Sequence, residues 1–111
     1  MGYACRQMSA SRILLDESFA INSRYRVVLY AAQVSPSKKF PSGVKAKFVL
    51  IDSDGGFARL LIDNHEPFGF HMHSRLPEDE AFRVPLPVAD HNAALDLFFE
   101  EVERIVNHER S

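Results

Sequence analysis

The chain has 111 residues, 46% of them hydrophobic and 25% charged, with a formal net charge of −2. That length predicts a single domain, 1–111, able to hold a core without metal or disulfide staples. The lone cysteine, Cys5, excludes an internal disulfide and a cysteine-built zinc site. No window approaches the ~18 uninterrupted apolar residues of a membrane span. The opening MGYACRQMSAS lacks the apolar run of a secretory signal. These absences predict a cytoplasmic protein with no membrane partner. Charge is uneven, +4 over residues 1–75 and −6 over 76–111, as when an acidic surface helix sits on a mildly basic sheet.

Residues 1–10 read as a frayed N-terminus. SRILLDESFAI (11–21) and RYRVVLYAAQV (24–34) are rich in strand formers, with Asn22 and Ser23 as the turn between them. Tyr25, Val27, Leu29 and Ala31 alternate onto one face. SPSKKFPSG (35–43) reads as a loop. VKAKFVLID (44–52) alternates Lys45 and Lys47 against Val44, Ala46 and Phe48, a strand with one wet face. SDGG (53–56) turns the chain and FARLLID (57–63) returns it. The segment 74–88, with three prolines and an acidic triplet, reads as an irregular connection with a short edge strand at 81–84.

Asp90 then caps the one convincing helix. Leu95, Phe98, Val102, Ile105 and Val106 form its apolar stripe, while Glu100, Glu101, Glu103 and Arg104 mostly face away. The expected fold is α+β, an antiparallel meander of four to five strands with the long C-terminal helix packed on one face.

The chemistry concentrates in DNHEPFGFHMH (63–73), which holds three of the five histidines. In an extended segment, His71 and His73 point to one side. Two same-face imidazoles make a first pair of ligands for zinc or another divalent ion, with Asp63 or His65 as the third. Without a metal, the same residues suit ribonuclease chemistry. One histidine takes the ribose 2′-hydroxyl proton and the other protonates the leaving oxygen, since imidazole titrates near neutrality. Asp63 or His65 would orient an imidazole. Arg59 and Arg75 would stabilise charge on the phosphate, and Phe68 or Phe70 would stack on a base. His91 and His108, in the first and last turns of the helix, read as structural. Lys38, Lys39, Lys45 and Lys47 could steer an anionic backbone.

The order of features resembles small prokaryotic proteins filed with the TumE-type toxins of toxin–antitoxin modules. The matching residues are Phe40, Pro41, Gly43 and Lys45; Asp63, Asn64 and His65; Gly69, His71 and His73; and Phe98, Glu101 and Val102. The resemblance spans roughly residues 11 to 106. It implies a toxin-like protein with ribonuclease-like activity on RNA and a DNA-binding antitoxin as partner. Phe70 departs from the pattern, standing where many relatives carry a histidine or polar residue.

Three functions are thus expected to compete. The first is a toxin-like, metal-independent endoribonuclease with His71, His73, His65 and Asp63 at its centre and no cofactor. The second is a metal-binding protein built on the same four residues. The third is a non-catalytic module that forms a homodimer or docks a partner through its acidic helix or an unpaired sheet edge.

Overall fold

The computed structural model describes residues 11–38, 40, 43–65, 69–73, 83–88 and 90–110. Six strands form one antiparallel sheet in sequence order: β1 (Ser11–Ala20), β2 (Tyr25–Val34), β3 (Val44–Asp52), β4 (Phe57–His65), β5 (Gly69–His73) and β6 (Val84–Pro85). Among the described residues one helix, α1 (His91–Arg110), packs against β3 and β4. The α+β meander and its C-terminal helix agree with the sequence reading, and the strand count exceeds it. The additional pairing comes from GFHMH, which is extended as β5, and from Val84 and Pro85, which pair with Met72 and His71. The expected edge strand at 81–84 lies largely outside the described residues, as do the N-terminal ten.

Local chemistry explains the turns. Asn22 Oδ1 accepts from the backbone N–H of Arg24 and of Tyr25, both at 2.8 Å, so a side chain closes the β1–β2 turn without glycine. At the β3–β4 turn, Gly56 adopts φ 69° and its N–H donates to the Asp52 carbonyl at 2.8 Å. Arg24 and Asp52 tie the two turns together. The guanidinium Nε lies 3.2 Å from Oδ1, and its terminal nitrogen 2.9 Å from Oδ2. The Asp52 carboxyl is held below its ordinary range, chiefly by this Arg24 hydrogen bond. Desolvation opposes the shift, and the N–H groups of Gly55 and Asp54 assist it.

Alternation decides which side of the sheet the helix covers. Tyr25, Val27, Leu29 and Ala31 of β2, Ala46, Phe48 and Leu50 of β3, Leu60 and Ile62 of β4, and Phe70 of β5 are buried toward α1. They meet Ala94, Phe98, Val102, Ile105 and Val106. Each large side chain so removed from water contributes roughly 1.5–3 kcal/mol. Phe48 and Phe98 are the central pair, their ring centroids 5.9 Å apart and tilted by 57°. Asp90 Oδ1 accepts from the Ala93 N–H at 2.8 Å, the expected N-cap. The expected apolar stripe is buried except for Leu95, which is half-buried, and Ala94 is fully buried beside it. A small residue there lets the helix backbone approach the sheet.

The opposite face decides where function can sit. Pairing across the sheet sets Tyr30 opposite Lys47, Lys47 opposite Asp63, Asp63 opposite His71 and His71 opposite Pro85. Paired residues in neighbouring strands project from the same face. One row of polar side chains therefore crosses the sheet on the side away from α1.

Candidate functional site

Asp63 and His71 owe their contact to register. Antiparallel β4–β5 pairing places them directly opposite each other, and places Leu61 opposite His73. His71 Nε2 lies 2.6 Å from Asp63 Oδ1. The two imidazoles, two residues apart on β5, sit on one face with ring centroids 4.9 Å apart, edge to face. Donor atoms of Asp63, His71 and His73 all fall within 4.8 Å of one another. His71 is 1% exposed and His73 6%, whereas the Asp63 side chain is 22% exposed. Any approach from solvent is therefore to the carboxylate.

Gly69 fixes the tautomer of His71. It begins β5 with φ 62°, and its carbonyl oxygen lies 2.8 Å from His71 Nδ1. A carbonyl can only accept, so this bond requires the proton on Nδ1. Nε2 is then a lone pair aimed at a carboxylate oxygen. Two electron-rich atoms at 2.6 Å require a proton or a metal ion between them. A Nδ1–H donating to a backbone carbonyl is also the usual way in which a ligand histidine is oriented.

The donor set fits a small divalent ion. With bonds of about 2.0–2.1 Å, tetrahedral geometry separates ligand atoms by about 3.3 Å. The 2.6 Å approach of Asp63 to His71 lies below that value and the 4.8 Å span of the whole set above it. Two imidazoles and one carboxylate suit zinc or a first-row transition ion, and three protein ligands leave a position for water.

Asn64 holds the frame. Its Oδ1 accepts from the buried Ala46 N–H at 2.8 Å, and its Nδ2 donates to the Val44 carbonyl at 2.9 Å. The side chain thus extends the pairing of β4 with β3 beyond Asp63, where backbone register ends at Lys47.

The remaining sequence candidates disperse. His65 closes β4 in backbone, paired with Gly69, and its side chain lies outside the described set. Arg75 and Phe68 lie outside the described residues. Phe70 is 7% exposed and belongs to the core under α1, on the face opposite the histidines. Its expected stacking on a base has no surface to act from. Leu50 pairs with Leu60 and Ile51 with Ala58, so Arg59 is the extra residue of a bulge. It lines a crevice of about 190 Å³ with Glu101, Arg104, Ile105 and His108 of α1, and not the histidine pair.

Two groups that the motif itself does not contain continue the polar row beyond Asp63. Lys47 lies next to Asp63 in the polar row and Tyr30 next to Lys47. Together with Lys45, Val28, Val49 and Ile51 they line a groove of about 370 Å³. The alternation of lysines in β3 was visible in sequence; their neighbourhood with Asp63 required the register. Comparison with protein-family models, with curated proteins and with solved structures finds no match for the chain.

Proposed function

We propose that Asp63, His71 and His73 bind a divalent transition metal, zinc first among the candidates, and that the ion acts as a Lewis acid on an anionic substrate. The observation that carries this reading is the 2.6 Å approach of a carboxylate oxygen to an imidazole nitrogen whose partner nitrogen faces a backbone carbonyl. A proton or a metal ion can bridge such a pair, and the nearby His73, offering a third donor, favours the metal. A bound ion would polarise an oxygen or lower the pKa of bound water. Lys45 and Lys47, exposed on the same face, favour a substrate with negative charge. The toxin-like ribonuclease expected from the sequence is metal-independent; here RNA stays the substrate and a DNA-binding antitoxin the partner, with a metal added at the centre.

The metal-independent ribonuclease is the second reading. The close Asp63–His71 pair favours it, because a carboxylate can orient an imidazole for proton transfer. The burial of both histidines weighs against it, since an RNA 2′-hydroxyl must come within about 3 Å of the base.

The test is zinc titration of chelator-treated protein against a competing dye. The wild type is expected to take up one equivalent and His71→Ala/His73→Ala none. No uptake by a folded wild type, or equal uptake by both proteins, refutes the metal reading. RNA cleavage that persists undiminished in chelator, and is lost in the double variant, establishes the second reading instead.

A further inference from the structure

Among the described residues, the exposed large hydrophobic side chains fall on one short stretch. Ile13, Leu14 and Phe19 of β1 and Ile21 just after it are 36% to 52% exposed. Among the described strands β1 is also an edge of the sheet and is ten residues long, while α1 packs over β3 and β4. Such an edge carries a row of backbone N–H and C=O groups turned away from β2, which only another extended chain can pair in full. Edge strands are ordinarily short or guarded by charge along their middle. Here an apolar run, Ile13 to Leu15, lies between Arg12 near the start of the strand and the acidic pair Asp16 and Glu17 at its middle.

The order of those charges identifies the occupant. Arg12 is followed by Ile13, Leu14 and Leu15, then by Asp16 and Glu17. Read backwards, that pattern sets Arg12 against Glu17 and Leu14 against Leu15, with Ile13 against Asp16. In a regular strand, residues five apart project from opposite faces. The register shift between Ile13 and Leu15 removes this obstacle. Arg12 pairs with Gln33 and Glu17 with Leu29, two β2 residues that share a face, so Arg12 and Glu17 share one too.

We propose that β1 pairs antiparallel with β1 of a second copy of this chain, centred on Leu14 and Leu15, so that one sheet runs through both copies. Each Arg12 then lies opposite Glu17 of the other copy. The contact is isologous, so the ion pair occurs twice, on either side of Leu14 and Leu15 from both strands. A parallel partner loses both charge pairs. The inference is independent of the metal reading, because the Asp63–His71–His73 cluster lies across the sheet on β4 and β5.

The test is sedimentation equilibrium of the full chain and of Arg12→Glu, Glu17→Arg and Leu14→Lys, with circular dichroism to establish folding. The wild type is expected to be a dimer. Each charge reversal sets like charges opposite one another twice and is expected to weaken association by about tenfold. Leu14→Lys puts a charge at the centre and is expected to give monomer. The decisive arm is an equimolar mixture of the two charge-reversal variants. Their altered strands complement each other, so association is expected to return to the wild-type level. A monomeric wild type overturns the proposal, as does a dimer indifferent to both reversals or a mixture that fails to recover.

Discussion

Asn64→Ala tests whether the site stands on the frame described above. The substitution removes an acceptor from the Ala46 N–H and a donor from the Val44 carbonyl. A buried polar group left without its partner costs about 1–3 kcal/mol. Ala46 is buried, so its N–H falls in the upper part of that range. Val44 is half-buried, so water can reach its carbonyl and the cost there is nearer the lower end. The expected total is about 3 kcal/mol, which for a domain of this size lowers the melting temperature by roughly 15 °C. Thermal and urea unfolding, followed by circular dichroism, measure it. Asn64→Asp separates the two bonds. It keeps the acceptor for Ala46 but turns a carboxylate oxygen toward the Val44 carbonyl. That variant is expected to be destabilised at neutral pH and to recover on acidification, when its carboxyl can donate. A loss below about 1 kcal/mol in Asn64→Ala, with no acid recovery in Asn64→Asp, refutes the assignment of Asn64 as the clamp between β3 and β4.

Three further outcomes are expected. Asp52 has a depressed pKa in the folded protein, so the stability it contributes is full above the unfolded value of about 3.9 and is lost as pH falls through the folded value. Arg24→Met should therefore melt below wild type at neutral pH, with the gap closing on acidification below about pH 4; a gap unchanged down to pH 2 contradicts this. Phe98→Ala empties the centre of the core beside Phe48 and should cost about 3–5 kcal/mol by urea unfolding, whereas a cost below 2 would mean that the core collapses around the site. Induced expression should arrest growth with loss of total RNA for the wild type and not for a folded His71→Ala/His73→Ala protein; intact RNA with the wild type counts against the ribonuclease reading.

The sequence by itself determined the parts that depend on neighbouring residues. Alternation in YRVVLYAAQV and VKAKFVLID marks both strands and assigns their buried faces, since side chains one apart project oppositely. The SDGG turn, the Asp90 cap and the stripe from Phe98 to Val106 are equally local. The grouping of Asp63, His71 and His73 was legible because the histidines lie two apart and Asp63 stands at the far end of the same hairpin. Tertiary structure decided what depends on register and on which face the helix covers. Phe70 is as aromatic as any candidate for stacking, but its position between Gly69 and His71 sends it to the helix side, where the core claims it. Arg59 was assigned to phosphate, and the bulge at its position carries it to α1 instead. No local pattern could have placed Lys47 beside Asp63 or the Gly69 carbonyl against His71 Nδ1. Those contacts arise only when β3, β4 and β5 align, because a shift of one residue would send every one of these side chains to the opposite face.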